Sequence, residues 1–214
     1  MASGSLTTTS YAILGLLAVR PWSTYELTQQ MERSLGHLWP RAASKLYEEP
    51  KKLVAHGLAR ARADAVGRRT RTVYSITPRG RRALARWLDE PGEGPVLEFE
   101  QLLKVFFSDQ GTTPALRSTL AAARAWAVEQ SERSAAIGRQ YLAGAGPFPA
   151  RIPQQVLTVG FLNEFFAVVH RWALWAEALT DDWPDDPSAA TVAREVVEAI
   201  TRVAEAVAAD RDVG

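Results

Sequence analysis

The chain has 214 residues, of which 47% are apolar and 23% are charged, a composition typical of soluble globular proteins. It contains no cysteine, which excludes a disulfide framework, a thiol nucleophile and a thiolate metal site; its three histidines lie far apart in sequence and indicate no metal site. No signal peptide pattern opens the chain, and no apolar run approaches the roughly 18 residues that span a bilayer. We therefore expect a cytoplasmic protein without a membrane segment.

The net charge of +1 conceals two halves of opposite sign. Residues 1–90 hold 15 Lys and Arg against 7 Asp and Glu, a balance of +8, whereas residues 91–214 hold 10 against 17, a balance of −7. Such asymmetry indicates that one half meets a polyanion. Two prolines and two glycines in residues 89–95 predict a linker. We therefore expect a basic domain over 1–90, a linker over 91–96 and an acidic domain over 97–214.

Two helices are predicted at the start of the basic half. Apolar residues at helical spacing predict a short buried helix over 8–18. The segment Ser23-Thr-Tyr-Glu26 fits a capping box, in which a hydroxyl and a Glu three residues later satisfy backbone amides, and it predicts a second helix over 24–35. We expect Tyr25, on this helix, to be a core aromatic.

A third helix is predicted from about Arg41 to His56, with Gly57 as the residue that follows its end. Pro50 falls in the interior of this helix, where proline removes one backbone hydrogen bond. Because the helical pattern resumes beyond Pro50, we expect a bend at this position and not an end.

A β-hairpin follows the third helix. Residues 58–65 and 70–76 alternate with period two, which places Tyr74 in the core, and Gly67 lies between them as the turn residue. The segment 59–82 carries eight arginines in 24 residues. Thr77-Pro78 then predicts the start of a helix over 78–89, whose apolar residues are expected to pack. Those residues are Leu84, Trp87 and Leu88.

Three helices, a hairpin and a further helix are typical of a winged helix-turn-helix. In this fold the third helix enters the major groove of DNA, and the hairpin, or wing, flanks it along the phosphates or in the minor groove. Guanidinium groups suit both tasks, since they bind phosphate bidentately and are favoured in a narrow minor groove. A solvated basic face is the alternative, but the arginines lie where a wing needs them.

Several segments, in this order, resemble the PadR family of bacterial transcriptional regulators: AILGLLA (12–18), TYEL (24–27), KLY (45–47), KKL with HGL (51–58) and YSITPRG (74–80). Glu-Glu-Pro stands at 48–50, where the family usually has Pro-Ala-Leu. The resemblance implies DNA contacts from the start of the third helix and from the wing. The implied residues are Arg41, Ala43, Ser44, Lys45, Tyr47, Arg68, Arg69 and Arg71.

Four helices are predicted in the acidic half, over 97–108, 113–142, 153–180 and 188–210. The third of them is apolar nearly all round and must be buried on every side, so a second subunit is expected to cover it. The last carries an apolar stripe at helical spacing. That stripe comprises Val192, Val196, Ala199, Ile200, Val203 and Val207. The resemblance also implies a C-terminal helical dimer, which would place two recognition helices on a roughly palindromic operator.

The acidic half also offers residues for a small aromatic effector. Asn163, His170 and Glu177 recur at seven-residue intervals on an otherwise apolar helix, and a few polar groups among aromatics are typical of small-molecule sites. Members of the resembled family sense phenolic and other aromatic compounds. The alternative is that these residues belong to the core. The candidate effector residues are Trp126, Asn163, Phe166, His170 and Trp172.

The sequence therefore predicts a mainly α-helical protein with a small β-hairpin: an N-terminal winged helix-turn-helix and a C-terminal all-helical dimerisation domain. We expect a sequence-specific, dimeric repressor released from double-stranded DNA by a small-molecule effector. No cofactor or metal is expected, and the absence of a catalytic motif argues against an enzyme. The alternative is a winged-helix module for protein–protein contact without operator binding.

Overall fold

The computed structural model describes residues 5–39, 47–66 and 69–209. The chain divides into two compact units, Met1–Pro95 and Val96–Gly214. The first unit combines helices with a small sheet, and the second is helical. It stays a prediction that the first unit binds DNA and that the second forms the dimer.

The first unit has the element order of a winged helix-turn-helix, and it adds one strand that the sequence pattern does not reveal. In the described part of this unit three strands form an antiparallel sheet in which β3 lies between β1 and β2. The elements are α1 (Thr8–Val19), β1 (Trp22–Ser23), α2 (Thr24–Leu35), α3 (Glu49–Ala55), β2 (Ala59–Val66), β3 (Arg69–Ile76) and α4 (Pro78–Leu88).

The core of this unit lies among the first three helices. Its fully buried aliphatic side chains come from α1, α2 and α3, and they are Ile13, Leu14, Leu17, Leu27 and Leu53. Trp22 closes one side of the core, where its indole N–H donates to the carbonyl oxygen of Leu16 at 2.7 Å. This contact explains why a strand of only two residues is held in place.

The structure corrects the prediction for the third helix. Tyr47 and Glu48 form a turn, and α3 begins at Glu49, so Pro50 lies in the first turn and not in the interior. An amide in the first turn has no acceptor within the helix, so proline there removes no hydrogen bond, and the expected bend is wrong. The predicted start of this helix, at 41–46, lies outside the described residues.

The end of α3 follows the prediction. Gly57 has a φ of +71°, the left-handed conformation that glycine adopts without strain. Its N–H donates to the carbonyl oxygen of Val54, and the N–H of Leu58 donates to that of Leu53, both at 2.9 Å. These two bonds form a Schellman motif, which turns the chain directly into β2.

Two predicted core positions of the first unit are wrong, and one is confirmed. Tyr25 is 70% exposed, because Leu27 and Met31 provide the buried face of α2, and its phenol oxygen accepts from the amide of Gln29. Leu88 is likewise exposed at the end of α4. Tyr74, in the central strand of the sheet, is buried as expected.

All four helices predicted in the second unit are present. They are α5 (Glu100–Phe106), α6 (Thr113–Leu142), α7 (Ile152–Leu179) and α8 (Arg194–Ala209). The long pair α6 and α7 packs through small buried residues, with Ala123 and Ala127 facing Val169 and Ala173. The last helix starts six residues later than predicted, because Pro187–Ala189 forms a separate 3₁₀ turn, and Val192 therefore lies outside the apolar stripe of α8.

One stretch of the described residues, Pro149–Leu179, is long and apolar enough to cross a membrane, with a mean hydropathy of 1.2 over its most apolar 18 residues. The prediction concerned uninterrupted apolar runs, and charged residues such as Glu164 and Arg171 interrupt this stretch. A single helix of this kind is a weak indication, since core helices of soluble proteins have the same composition. Only 11% of that window is buried within the chain.

Candidate nucleic-acid interface

Three arginines in the described part of the hairpin of β2 and β3 are exposed. In its register Arg62 lies opposite Val73, and Asp64 lies opposite Arg71. Arg60 and Arg62 are exposed on β2, and Arg71 is exposed on β3. Alternation along the strands therefore separates the charged positions from Tyr74, which faces the core.

Arg71 makes the most extensive contacts among the described arginines of the hairpin. Its Nε and Nη2 atoms both donate to Oδ2 of Asp64 at 3.0 Å. Its Nη1 atom lies 3.9 Å from Oε2 of Glu26, at the start of α2. Arg71 thus connects both strands of the hairpin with the second helix.

Glu26 closes the capping box that the sequence predicts. Its carboxylate accepts from the backbone N–H of Ser23 at 2.8 Å and from the Ser23 hydroxyl at 2.6 Å. These two hydrogen bonds, the one from the hydroxyl foremost, lower the pKa of Glu26 below its ordinary value, and the charge of Arg20 acts in the same direction. Glu26 therefore stays ionised beside Arg71.

The base of the hairpin is fastened to the helices on either side of it. The hydroxyl of Thr77 donates towards the carbonyl oxygens of Gly57 and Leu58, at 2.8 and 3.1 Å, and accepts from the N–H of Gly80 at 3.0 Å. A Cβ at Gly80 would lie 2.1 Å from the carbonyl oxygen of Leu58, so only glycine fits there. This packing fixes where the hairpin leaves α3 and where α4 begins.

A buried polar contact joins α3 to α1. Glu49, the first residue of α3, is buried, and its Oε2 atom accepts from the Ser10 hydroxyl at 2.5 Å. Its Oε1 atom lies 3.5 Å from the ammonium group of Lys52. Sequence reasoning missed this contact, whose only signal was a serine on an apolar helix and a glutamate within an apparent helix.

The structure describes only some of the DNA-contact candidates. Tyr47 lies in the turn before α3 and is 63% exposed. Arg69 begins β3, and Arg71 is paired as described above. The remaining candidates lie outside the described residues, and all eight assignments stay predictions. Those remaining are Arg41, Ala43, Ser44, Lys45 and Arg68.

The five effector candidates lie on α6 and α7, where several of them pack in the core. Phe166 is buried, with the ring of Trp126 edge-on at 5.6 Å between centroids. Trp172 packs edge-on against Phe99 and against the small residues between the two helices.

The polar candidates are not part of this core, and a groove beside α5 contains none of the five candidates. Asn163 accepts from the hydroxyl of Ser134 at 2.7 Å, and His170 is partly buried on α7. An open groove of about 620 Å³ beside α5 is lined by Leu97, Phe106 and their neighbours and contains none of the five candidates. The effector site stays a prediction.

Comparisons of sequence agree with the element order of the first unit. Residues 13–86 match the model of the transcriptional regulator PadR-like family. The negative transcriptional regulator PadR of Bacillus subtilis is 33% identical over 99 residues, which cover 45% of this chain and 54% of that protein. A probable transcriptional regulator of Mycobacterium tuberculosis is 26% identical over 187 residues, which cover 82% of this chain and 93% of the relative.

Comparisons of structure extend the likeness to both units. The crystal structure of Bacillus subtilis PadR in complex with operator DNA matches with a TM-score of 0.69 at 22% identity, covering 82% of this chain and 100% of that one. The same regulator in complex with p-coumaric acid matches with a TM-score of 0.63 at 22% identity, covering 83% and 99%. At this identity the likeness shows the fold alone. Residues 13–86 thus form a domain that matches the PadR-like family of transcriptional regulators, and the chain shares its fold with PadR over 82% of its length.

Proposed function

We propose that this chain is a sequence-specific DNA-binding protein that acts as a dimeric repressor in the cytoplasm. The observation that carries the proposal is the hairpin of β2 and β3, which presents exposed arginines from a unit with the fold of PadR. A basic surface on a winged helix-turn-helix has the charge and the shape that bind duplex DNA. The relative with the matching fold was solved with its operator DNA.

Two groups of residues would divide the DNA contacts between them. Arg68, which follows β2 in the sequence, and Arg69, the first residue of β3, would bind phosphates or enter the minor groove, which adds affinity for any sequence. Arg41, Ser44 and Lys45, ahead of α3, would reach phosphates and base edges in the major groove. Replacing Lys45 with alanine should therefore alter sequence preference, which selection from a random duplex library measures.

Exposed apolar residues on the second unit support a dimer. On α7 the side chains of Leu157 and Phe161 are exposed, and on α8 those of Val203 and Val207 are exposed. Exposed apolar surface of this extent marks an interaction site. A second copy of the chain would cover it and would place two winged helices on a roughly palindromic operator.

A small aromatic effector would release the repressor from DNA. The relative solved with p-coumaric acid supports this class of ligand. The aromatic cluster that contains Trp126, Phe166 and Trp172, with Asn163 and His170 as polar groups, is the candidate site. Adding p-coumaric acid to the protein–DNA complex tests the release directly, and an unchanged mobility shift with this and related phenolic acids would contradict it.

DNA binding is tested by genome-wide mapping of bound sites, followed by mobility shifts on the recovered duplexes over a salt series. The affinity should fall linearly with salt on logarithmic axes. The double variant Arg68→Ala/Arg69→Ala should weaken binding to all sequences similarly and reduce that slope by about 1.8, since each lost phosphate contact removes about 0.9.

The matched control for this variant is Arg133→Ala/Arg139→Ala, which removes two exposed arginines of the second unit. It should leave the slope unchanged. If the wild-type protein binds no recovered site at low salt, the chain is not an operator-binding regulator, and its winged helix serves protein contacts.

A further inference from the structure

One carboxylate stands among the arginines of the hairpin. Asp64 is the single acidic residue in the segment 59–82. It lies directly opposite Arg71 in the antiparallel register, and one of its oxygens accepts two hydrogen bonds from that guanidinium. Its other oxygen lies 4.0 Å from Nη2 of Arg62. Asp64 therefore offsets positive charge at the centre of the surface that the proposed function assigns to DNA.

The contact between Asp64 and Arg71 remains within reach of solvent. The side chain of Arg71 is 46% exposed and that of Asp64 is 30% exposed. Phosphate oxygens accept hydrogen bonds from the same guanidinium N–H groups as carboxylate oxygens do. A DNA phosphate could thus replace Asp64 as the partner of Arg71 without any change in the backbone of β2 or β3.

A second carboxylate strengthens the hold on Arg71. Glu26 lies 3.9 Å from Nη1, on the side of the guanidinium that faces α2. Arg62 differs from Arg71, since its side chain is 82% exposed and its distance to Asp64 is at the limit of an ion pair. Arg62 and Arg71 thus carry the same formal charge on one surface. Of these two, only Arg71 is hydrogen-bonded to a carboxylate of the protein.

We propose that Asp64 competes with DNA phosphate for Arg71 and thereby limits the affinity of the wing for DNA of any sequence. This inference rests on the proposed function. In the free protein the ion pair with Asp64 keeps Arg71 from contacting DNA. The other arginines of the wing then bind DNA without a contribution from Arg71. Loss of the Asp64 charge removes both hydrogen-bonded contacts of Arg71 and leaves only the Glu26 carboxylate 3.9 Å away, so that Arg71 can make one further phosphate contact.

The test is the salt dependence of DNA binding by Asp64→Asn, a variant that keeps the size of the side chain and removes its charge. One added phosphate contact steepens the logarithmic slope by about 0.9, so the ratio of affinities at 50 and 200 mM salt should rise roughly 3.5-fold. The matched control Glu90→Gln removes one negative charge at an exposed position after α4 and should leave the slope unchanged. The conservative variant Asp64→Glu should behave as the wild type.

A double-mutant cycle separates release of Arg71 from a general change in charge. In the wild-type background Arg71→Ala should leave the slope nearly unchanged, because Arg71 is withheld. In the Asp64→Asn background the same substitution should remove the added steepness. Circular dichroism and the melting temperature of each variant verify that it is folded.

Two results would overturn the inference. In the first, Asp64→Asn changes the slope no more than Glu90→Gln does. In the second, Asp64→Asn and Arg71→Ala weaken binding equally, and the double variant is no weaker, which means that the pair only holds the hairpin in shape. Absence of DNA binding by the wild type would overturn the proposed function as well, so the two failures are distinguishable.

Discussion

The two units of the chain treat their apolar residues in opposite ways. The first unit has a core of fully buried aliphatic side chains, among them Leu14 and Leu53, and it exposes arginines. The second unit exposes large apolar side chains on α7 and α8, and none of the sixteen described residues of α8 is buried. The exposed groups thus indicate two different partners, a polyanion for the first unit and a second apolar surface for the second.

In the second unit, the residues that hold the helices together differ from the residues that are exposed for a partner. In the second unit α6 and α7 are held together by packing of alanines and by an ion pair between Arg124 and Glu177, at 3.1 Å. That packing uses one side of α7 and leaves Leu157 and Phe161 uncovered. A partner would therefore complete this unit without having to rebuild it.

The largest effect is expected where a charge enters the uncovered face of α8. Ile200→Glu should raise the dissociation constant of the proposed dimer roughly 10³-fold, because an unpaired charge in an apolar interface costs about 4 kcal/mol. Sedimentation equilibrium measures the constant. The control Thr201→Glu adds the same charge one residue later, where the 100° turn of the helix directs it away from the stripe. If both variants stay dimeric, α8 is not part of the interface.

A smaller effect is expected from shortening an apolar side chain in each unit. Leu53→Ala should lower the free energy of unfolding by about 3 kcal/mol, since Leu53 is fully buried and the change leaves a cavity. Val203→Ala removes apolar atoms from a side chain that is 68% exposed and should leave the unfolding of the single chain unchanged. Urea denaturation measures both, and equal losses would contradict the contrast between the units.

The sequence was sufficient to predict features that depend on neighbouring residues. The capping box of Ser23 and Glu26, the left-handed Gly57 and the N-cap Thr77 each rest on contacts within a few positions. Period-two alternation likewise predicted the hairpin, and apolar residues at helical spacing or in long helical runs predicted all four helices of the second unit.

Features that join distant segments could not be predicted in this way. The contact of Ser10 with Glu49 spans 39 residues, and β1 has only two residues, so neither leaves a periodic signal. Pro50 was predicted in a helix interior because the apolar spacing that precedes it continues through the turn at Tyr47 and Glu48. In the candidate site the arginines of the wing were evident from composition, but the pairing of Arg71 with Asp64 depends on the strand register.

The contact between α1 and α3 is expected to have an intermediate effect on stability. Ser10→Ala should lower the free energy of unfolding by about 2 kcal/mol, because it removes a hydrogen-bond donor from a buried carboxylate. Ser34→Ala, at an exposed position of α2, is the control and should leave stability unchanged. Urea denaturation again compares them. A loss for Ser10→Ala no greater than that for Ser34→Ala would mean that Glu49 is satisfied by Lys52 alone.

The smallest effect on the free energy of unfolding is expected at the start of α2, where Glu26 closes the capping box and lies beside Arg71. The hydrogen bonds from Ser23 lower the pKa of Glu26, so its ionised form stabilises the fold above its ordinary pKa, near 4.5, and this contribution is lost as the pH falls through the lowered value. Glu26→Gln keeps an acceptor for the capping box but removes the charge. It should lower the free energy of unfolding by about 0.7 kcal/mol at pH 7.

The difference between Glu26→Gln and the wild type should shrink as the pH falls below about 4.5 and through the lowered pKa of Glu26, since the wild-type carboxyl is protonated over that range. Urea midpoints measured from pH 7 to pH 3 follow this convergence. Glu32→Gln, an exposed change on the same helix, is the control and should show no such pH-dependent difference. A difference for Glu26→Gln that persists undiminished at pH 3 would show that the amide disturbs the cap itself. Arg71 would then lose a correctly placed neighbour as well as a charge.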